Sequence, residues 1–387
     1  MPSSREWSLV ICSGGSGGHL MPALAVLEEL QSRATPPEQV VVLSTVREIE
    51  QTVLNSALPD ASRVQHVPLD VPEGAHFRRV PFSSSWKLGA AVRTSRRVIR
   101  SLSSPVVLGM GGFGSVPGVL AARSLRVPIV LHEQNIVPGR ATSWLARLAD
   151  RICVSFPETS DEFPKGKSMR AKMIDTGNPV RKSIQLLHEQ HDEDRVTRSK
   201  TLLVLGGSQG SRSINDLMMR FVEQRSDALR DWRIVHQTGS GDVERVRTCY
   251  QSHDLDADVQ AYFSGMETLY ADAQLVISRA GATTLAELAC ADLFAILVPY
   301  PGAVRDHQRK NADWYHERGA AMVVPHPAGL LDVLTFQQAT LWDALTELLM
   351  NESARKEARG KMRSLARPDA ASRVADVVES LVSASCC

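Results

Sequence analysis

Residues 9–20 decide the fold, and their sequence is LVICSGGSGGHL. The first four residues are apolar and predict a buried strand, and a helical pattern begins near His19. The tight turn between them consists of Gly14, Gly15, Ser16, Gly17 and Gly18. The pattern returns at residues 201–211, TLLVLGGSQGS, in which Ser208 and Gln209 lie within the turn. Two segments that each combine a strand, a glycine turn and a helix start predict two doubly wound parallel sheets rather than one large sheet.

Short apolar runs alternate with longer segments of helical period on both sides of a break in the pattern. The break comprises the turn signal Gly177-Asn178-Pro179 and the charged, strand-free stretch Leu187–Lys200. The predicted strands are Leu9–Cys12, Val40–Leu43, Val64–Val67, Val106–Leu108, Ile129–Leu131, Ile152–Val154, Met173–Asp175, Thr201–Leu205, Trp232–Val235, Val259–Phe263, Leu275–Ile277, Ala295–Val298 and Met322–Val324. The predicted fold class is α/β, with two Rossmann-like domains that face each other across a deep cleft.

The composition provides enough apolar residues for two cores and leaves almost no net charge. The chain has 387 residues, of which 43% are hydrophobic, and its formal net charge is +1, so we expect no nucleic-acid partner. Six cysteines lack metal-ligand spacing and are typical of reduced cytoplasmic thiols: Cys12, Cys153, Cys249, Cys290, Cys386 and Cys387. No signal peptide is expected, and no apolar stretch approaches the roughly 18 residues of a spanning helix. Any membrane contact should therefore be peripheral.

The two glycine turns are candidates for phosphate binding. A glycine turn after a strand lets the backbone approach a phosphate and directs the N–H groups of the following helix at it. The first turn lacks the final glycine of the dinucleotide-binding pattern, and neither turn contains the Gly-Lys-Ser/Thr of an ATP-binding loop. We therefore expect two substrates that both carry phosphates, although tight packing of a strand on a helix also requires glycine.

Polar residues follow three predicted strands of the first half. His19 follows the first glycine turn, where an imidazole is suited to act as a general base; a capping or packing role is the alternative. Residues 109–115, GMGGFGS, and residues 132–135, HEQN, follow two later strands. We expect all three segments at one edge of the sheet. Loop anchoring is the alternative role for Glu133 and Asn135.

The second half carries a sharper candidate site at residues 278–287, SRAGATTLAE. A strand ends there, a turn of small residues follows and a helix begins. The backbone amides placed to hold a diphosphate are those of Ala282, Thr283 and Thr284. Glu287 lies one turn later on the same face, where its carboxylate can accept both hydroxyls of a ribose, although a glutamate in a first turn also stabilises the helix itself. Residues 306–311, DHQRKN, offer groups suited to sugar hydroxyls, with an ordinary capped helix start as the alternative.

A membrane-facing surface is predicted between residues 77 and 100. Residues 77–88, FRRVPFSSSWKL, mix aromatic and cationic side chains. Four arginines follow, namely Arg93, Arg96, Arg97 and Arg100. Apolar and basic groups on one surface suit anionic lipid headgroups, whereas a helix with an ordinary solvated basic face is the alternative.

Seven motifs occur in one order along the chain: GGSGGH, GMGGFGS, HEQN, GNPVR, GGSQGS, SRAGATTLAE and DHQRKNA. In this combination the chain resembles, over nearly its whole length, the MurG family of UDP-N-acetylglucosamine–undecaprenyl-diphospho-muramoylpentapeptide N-acetylglucosaminyltransferases. The resemblance implies a GT-B fold, with an acceptor-binding domain of residues 1–179 plus 367–387 and a donor-binding domain of residues 180–366. The last predicted helix, Ala370–Ala384, would then return to the first domain.

The resemblance also implies roles for individual residues. The acceptor diphosphate would meet the turn of residues 14–18, and further acceptor contacts would come from Gly111, Gly112 and Phe113. His19 would be the proton acceptor or another residue of the acceptor site, and Glu133 and Asn135 would line the active site. The donor would be bound by Arg181, Ser208, Gln209, Phe263, Arg279, Ala282, Thr283, Thr284, Glu287 and Gln308.

Within this donor set, the family's pattern gives each group of the substrate its own contact. Arg181 and Ser208 would contact the phosphates or the sugar, the Phe263 backbone would meet uracil, and Glu287 the ribose. Gln308 would contact N-acetylglucosamine. The chain departs from the pattern at three positions: Ser16 replaces a common threonine, Phe113 a frequent tyrosine and Arg309 a second glutamine of some members. The last two departures concern the detail of acceptor and sugar contacts rather than the reaction.

The implied reaction is the inverting transfer of N-acetylglucosamine to the 4-hydroxyl of the lipid-linked muramyl sugar, from lipid I to lipid II in peptidoglycan synthesis, without a cofactor or bound metal. The enzyme would lie peripherally on the cytoplasmic face of the bacterial membrane, with proteins of cell-wall synthesis or division as further partners. Two alternatives remain. One is another GT-B glycosyltransferase or a nucleotide-sugar epimerase, which residues 109–115 and 132–135 disfavour. The other is a non-catalytic nucleotide-sugar sensor, which would not need both sets of motifs.

Overall fold

The computed structural model of the chain forms two compact units. It describes residues 6–14, 17–46, 64–71, 82–164, 166–189, 200–207, 209–324 and 337–384. The first unit comprises Met1–Lys182 together with Asp369–Cys387, and the second comprises Ser183–Pro368. The predicted boundaries followed residues 179 and 366, whereas the observed ones follow Lys182 and Pro368. Arg181 is therefore grouped with the first unit.

The first unit is built on a seven-stranded parallel sheet. Its strands are β1 (Ser8–Cys12), β2 (Gln39–Thr45), β3 (Val64–Leu69), β4 (Pro105–Gly109), β5 (Ile129–Glu133), β6 (Arg151–Val154) and β7 (Met173–Asp175). They lie in the order β3-β2-β1-β4-β5-β6-β7, and every neighbouring pair is parallel. Parallel neighbours require crossover segments that cover both faces of the sheet.

Helices provide that cover in the first unit. They are α1 (Gly17–Gln31), α2 (Phe82–Arg100), α3 (Val116–Leu125), α4 (Arg140–Leu145) and α5 (Lys167–Arg170). The next helix, α6 (Lys182–Glu189), belongs to the second unit from Ser183 onward. Successive strand residues point to opposite faces, so Leu9 and Ile11 pack with α1, whereas Val10 and Cys12 pack with α2 and α3. A strand buried on both faces explains why residues 9–12 form a continuous apolar run.

The second unit repeats the plan with a six-stranded parallel sheet. Its strands are β8 (Thr201–Leu205), β9 (Arg233–Gln237), β10 (Ala257–Gln260), β11 (Leu275–Ser278), β12 (Ala295–Leu297) and β13 (Ala321–Val323). Their order is β10-β9-β8-β11-β12-β13. The helices are α7 (Arg212–Arg225), α8 (Val243–Gln251), α9 (Met266–Asp272), α10 (Ala282–Cys290), α11 (His307–Glu317), α12 (Gln337–Met350) and α13 (Glu352–Arg363). Phe221, Trp232 and Trp342 lie in the apolar core between these layers.

All thirteen predicted strands are present, but several of their bounds were wrong. The segment predicted as Val259–Phe263 is a strand only to Gln260, so Phe263 lies beyond the sheet. Six strands continue further than predicted. Two of them end at Glu133 and Gln237, whose polar side chains are buried and hydrogen-bonded. A buried polar side chain with a partner does not end a strand, whereas sequence patterning treats it as a boundary.

The last helix, α14 (Ala370–Ala384), packs within the first unit. Val374 and Val378 of this helix join the apolar cluster around β1 and α1. Arg33, which follows α1, donates to Asp376 Oδ1 at 2.7 Å and to Glu379 Oε2 at 2.6 Å. Helix α14 is therefore attached to the first unit by apolar burial and by paired charges. Within the described part of the chain, no helix combines the length and the apolar character needed to cross a membrane.

Two glycine segments of the first unit pack backbone against backbone. A Cβ atom added to Gly14 would lie 2.7 Å from Gly114 Cα. One added to Gly112 would overlap the carbonyl oxygen of Gly14, and Gly112 also has a φ of 71°. An L-residue side chain is therefore excluded at Gly112 both by contact and by backbone conformation. This close approach brings the loops after β1 and β4 together.

We predict that Gly112→Ala destabilises the first unit by at least about 2 kcal/mol, because the added methyl meets backbone atoms that cannot turn away. Gly89→Ala is the control, since nothing lies within 4 Å of a Cβ at this helical position, and alanine should stabilise helix α2 by about 0.5–1 kcal/mol. Calorimetric unfolding of both variants measures the difference. An unchanged melting temperature for Gly112→Ala would contradict the observed packing.

Candidate active site

The order of the strands reverses once in each sheet, and the candidate site residues lie at these reversals. In the first sheet the reversal falls between β1 and β4, and in the second between β8 and β11. Loops that leave neighbouring strands in opposite directions open a crevice at the carboxyl edge of a parallel sheet. The loops at these two positions are the glycine turns and the small-residue turn singled out from the sequence.

In the first unit, the imidazole of His19 rests on the glycine segment after β4. A Cβ atom added to Gly111 would lie 3.4 Å from His19 Cε1, and one added to Gly112 would lie 3.3 Å from His19 Cδ2. Phe113 is half-buried beside them. The fold therefore brings His19, Gly14, Gly111, Gly112 and Phe113 together, as the sequence predicted. Gly15 and Ser16 lie outside the described residues, and Gly17 and Gly18 begin helix α1.

A buried glutamine sets the tautomer of His19. Gln134 is 2% exposed. Its Nε2 donates to the carbonyl oxygen of Met110 at 2.8 Å, and its Oε1 lies 3.0 Å from His19 Nδ1. A carbonyl oxygen accepts and cannot donate, so the amide orientation follows from the Met110 contact. His19 Nδ1 must then carry the proton, and Nε2 of the neutral ring is left as a proton acceptor.

Glu133 anchors the loop that follows β5. Its Oε1 accepts from the backbone N–H of Asn135 at 3.0 Å and from Asn135 Nδ2 at 3.2 Å. Its Oε2 accepts from the backbone N–H of Gly139 at 3.0 Å, and the residue is 1% exposed. Both oxygens are engaged with the loop, so the geometry gives Glu133 the anchoring role raised as the alternative. Asn135 is half-buried and is held at the rim by this anchor.

His132 is the fully buried neighbour in the same motif. Burial lowers the pKa of His132 to about 4, so its ring is neutral at pH 7. Its Nε2 lies 3.1 Å from the carbonyl oxygen of Gly177 and must donate to it, since that oxygen only accepts. His132 thus fixes the Gly177-Asn178-Pro179 segment, and Arg181 lies two residues after Pro179.

In the second unit, helix α10 begins at the reversal between β8 and β11. Its N-cap is Gly281, which offers no side-chain cap, and the first N–H groups of any α-helix lack partners within the helix. The three residues of that first turn are Ala282, Thr283 and Thr284. This helix start therefore directs N–H groups and the positive end of the helix dipole toward the carboxyl edge of the sheet, an arrangement that favours a phosphate.

Glu287 lies one turn into α10 and is 7% exposed. Its Oε2 accepts a hydrogen bond from the hydroxyl of Tyr270 at 3.0 Å. Tyr270 belongs to α9 and is itself 2% exposed. Glu287 lies beyond the first turn of α10, where the effect of the helix dipole is small. Its carboxylate is held instead by a neutral donor from a neighbouring helix.

Arg279 and Gln308 shape the loop after β12. Arg279 Nη1 donates to the carbonyl oxygen of Val298 at 2.9 Å, and its Nη2 donates to Ser213 Oγ at 2.9 Å. Gln308 Oε1 accepts from the backbone N–H of Tyr300 at 2.9 Å. Two predicted donor-binding side chains thus brace the rim of the site, and Gln308 Nε2 is the amide group that remains for a sugar hydroxyl or carbonyl.

The glycine turn after β8 is tied to the segment after β10 by Gln237. Gln237 is 4% exposed. Its Nε2 donates to the carbonyl oxygen of Gly207 at 2.9 Å, and its Oε1 accepts from the backbone N–H of Phe263 at 3.1 Å. Gln209 lies in the same turn and packs against the backbone of Gly239. Ser208 lies outside the described residues.

Three residues of the site were not singled out from the sequence: Gln134, Gln237 and Tyr270. Gln134 lies within the recognised motif of residues 132–135, and Gln237 lies two residues after the predicted strand Trp232–Val235. Nothing in a single sequence shows that their amides bridge two loops. Tyr270 lies in a short helix whose pattern marks it as an ordinary core residue. The sequence did offer one signal for these residues. Each carries a hydroxyl or amide group in a segment expected to be buried, and a buried polar group needs a hydrogen-bond partner.

Comparison with known proteins relates both halves of the chain to one family. Residues 9–154 match the glycosyltransferase family 28 N-terminal domain, and residues 201–374 match the glycosyltransferase family 28 C-terminal domain. A protein of Desulfotalea psychrophila is 35% identical over 383 residues, covering 99% of both chains. One of Ectopseudomonas mendocina is 36% identical over 375 residues, covering 97% of this chain and 99% of the relative. Both are named UDP-N-acetylglucosamine–N-acetylmuramyl-(pentapeptide) pyrophosphoryl-undecaprenol N-acetylglucosamine transferase.

Solved structures agree with this relationship. The crystal structure of Acinetobacter baumannii MurG matches with a TM-score of 0.70 and 28% identity, covering 97% of this chain and 99% of that chain. A UDP-GlcNAc 2-epimerase from Neisseria meningitidis matches with a TM-score of 0.64, covering 96% and 98%, but its identity is 13%, so this likeness shows the fold alone. The chain has the GT-B fold, and it belongs to the MurG family of N-acetylglucosaminyltransferases within glycosyltransferase family 28.

Proposed function

We propose that the chain transfers N-acetylglucosamine from UDP-N-acetylglucosamine to the 4-hydroxyl of undecaprenyl-diphospho-N-acetylmuramoyl-pentapeptide, the step from lipid I to lipid II. The observation that carries the proposal is the pairing of two different sites in one chain. The second unit offers a helix start with Glu287 one turn on, which suits a nucleoside diphosphate. The first unit offers His19 on a glycine-lined edge, which suits a hydroxyl acceptor beside a diphosphate.

The donor is assigned to the second unit. The first turn of α10, from Ala282 to Thr284, would receive the diphosphate, and the Glu287 carboxylate would accept the ribose hydroxyls. The amide of Phe263 is already engaged by Gln237, so its proposed contact with uracil runs through the carbonyl oxygen. Gln308 Nε2 would meet the N-acetylglucosamine. Further phosphate or sugar contacts are assigned to Arg181 and to Ser208, as the family's pattern implies.

The acceptor is assigned to the first unit. Its diphosphate would meet the turn of residues 14–18 at the start of α1, where the helix dipole favours an anion. Gly111 and Gly112 would allow the acceptor close to the backbone because no side chain intervenes. Phe113 would present an aromatic face at the same rim. This assignment uses the whole glycine-lined edge, whereas a nucleotide-sugar epimerase has no second substrate to place there.

The proposed chemistry is a single displacement at the sugar's anomeric carbon, which inverts its configuration. The acceptor hydroxyl must lose a proton as it attacks, and the departing UDP must be stabilised as its charge develops. His19 Nε2 is assigned the first task, because the Gln134 contact leaves that nitrogen unprotonated in the neutral ring. The N-terminus of α10 is assigned the second task, since its N–H groups are already oriented.

We also propose that the protein binds the cytoplasmic surface of the bacterial membrane through helix α2. Trp86 is 65% exposed. Arg93, Arg97 and Arg100 follow it at intervals of seven, four and three residues, which places all four side chains on one face of the helix. These three arginines are exposed. An exposed indole among cations suits the headgroup region of an anionic bilayer.

We predict that Glu287→Gln weakens binding of UDP-N-acetylglucosamine about ten- to a hundredfold, because hydrogen bonds to a charged acceptor contribute roughly 1.5–3 kcal/mol. Titration calorimetry measures this directly, and loss of transfer should accompany it. Glu317→Gln is the matched control, since Glu317 is exposed on α11. Full donor affinity in Glu287→Gln would remove the residue from the donor site.

We predict that His19→Ala lowers kcat by about 10²–10⁴ while donor affinity is retained, because general-base catalysis contributes on that scale. Gln134→Leu should lower kcat to a smaller extent, since the imidazole remains but its tautomer and orientation are no longer held. Steady-state transfer kinetics measure both, with His316→Ala, an exposed histidine of α11, as the control. Unimpaired turnover in His19→Ala would exclude it as the proton acceptor.

We predict that Trp86→Ser reduces binding to vesicles of anionic phospholipid several-fold while donor affinity stays unchanged, because the indole's apolar area no longer inserts. Vesicle co-sedimentation provides the measurement. Trp144→Ser is the control, as Trp144 is 42% exposed on helix α4 of the same unit. Equal vesicle binding by wild type and Trp86→Ser would contradict docking through α2. The side chain of Phe82 lies outside the described residues.

A further inference from the structure

Tyr270 makes a hydrogen bond that the proposed reaction does not by itself explain. Its hydroxyl lies 3.0 Å from Glu287 Oε2, and the two residues are 2% and 7% exposed. A phenol is a donor at neutral pH and a carboxylate only accepts, so the direction of the bond is fixed. A bond from a hydroxyl to an ionised carboxylate, with water nearly excluded, is stronger than one between neutral groups.

We propose that Tyr270 is a positioning residue for ribose recognition. It holds the carboxylate of Glu287 in one orientation and so sets the preference of the site for a ribonucleotide over a deoxyribonucleotide. The inference rests on the proposed function, in which Glu287 accepts the ribose hydroxyls. Tyr270 itself touches no substrate in this account and acts through Glu287.

The physical basis is the freedom of a glutamate side chain. Glutamate has three side-chain torsions, and its terminal torsion is broad, so an unrestrained carboxylate rotates among many orientations. Accepting two neighbouring hydroxyls requires one orientation of the carboxylate plane. A bond from Tyr270 to one carboxylate oxygen restricts that rotation before the nucleotide arrives. Fixing one such side chain in advance corresponds to about a two- to tenfold gain in affinity.

The position of Tyr270 in the chain couples ribose recognition to base recognition. Helix α9 begins at Met266, three residues after Phe263, whose backbone is assigned to uracil. Gln237 holds the N–H of Phe263 at one end of this segment, and Tyr270 holds Glu287 at the other. The segment from Phe263 to Tyr270 therefore contains both the proposed contact with the base and the residue that orients the proposed ribose ligand, Glu287.

If Tyr270 had only a structural role, substituting it would change stability but not nucleotide preference. A buried hydroxyl needs a partner wherever it lies, so loss of the bond would lower stability without regard to the ligand. Tyr250 offers the matched case in the same unit. It is fully buried, and its hydroxyl lies 2.7 Å from Nδ1 of His236, which has no role in the proposed site.

The test compares UDP with 2′-deoxy-UDP by titration calorimetry on the full chain. Wild type should bind UDP more tightly. In Tyr270→Phe, UDP affinity should fall about two- to tenfold, 2′-deoxy-UDP affinity should fall less, and the ratio between the two should shrink. Tyr250→Phe should leave that ratio at the wild-type value even if it lowers the melting temperature. Melting curves of both variants establish that the protein measured is folded.

The outcomes separate this inference from the proposed function. If wild type prefers UDP and Tyr270→Phe keeps the same preference, Tyr270 is only a satisfied core residue and the inference is overturned. A ratio that shrinks equally in Tyr250→Phe would overturn it as well, because the effect would then come from stability. If wild type binds neither nucleotide, the proposed function fails and the inference fails with it.

Discussion

The reversal of strand order at the centre of each sheet is the constraint on which the rest of the structure depends. Between β1 and β4, and again between β8 and β11, neighbouring loops leave in opposite directions and open an edge that a ligand can reach. In the first unit, that edge exists only because Gly14 and Gly112 let two backbones approach each other. A side chain at Gly111 or Gly112 would in addition crowd the ring of His19.

Buried neutral groups then orient the charged or reactive ones. Gln134 connects His19 to the carbonyl oxygen of Met110, and Tyr270 connects α9 to the carboxylate of Glu287. Neither supporting group carries a charge, so neither needs a counter-ion in the core. Each instead fixes the geometry of a single polar partner at the edge of its sheet. Because these side chains are oriented before the substrate binds, no binding free energy is needed to order them.

The sequence predicted the architecture because parallel strands buried on two faces leave an apolar signal. Leu9–Cys12 and Thr201–Leu205 were recognised in this way, and so were the glycine turns after them. The ends of β5 and β9 were placed too early, since Glu133 and Gln237 are polar and patterning takes polarity as exposure. Phe263 was placed inside a strand because it is apolar, although a side-chain amide rather than the sheet holds its backbone.

Residues proposed to act directly on a substrate were easier to find than residues proposed to support them. His19 and Glu287 follow strand ends and helix starts, where function is expected from position alone. Gln134 and Tyr270 act through contacts 115 and 17 residues away in sequence, and such distances carry no local pattern. Their roles follow from packing, which a single sequence does not display.

The most direct test of the account is the reaction of the wild-type protein with UDP-N-acetylglucosamine and a short-chain lipid I analogue. The measurement follows UDP release together with the linkage of the transferred sugar by nuclear magnetic resonance. The proposed transfer should release one UDP for each disaccharide formed, with a β-1,4 bond to the muramyl sugar, and should release none without acceptor. Release of UDP without the acceptor, or conversion of the donor to an epimer, would contradict it.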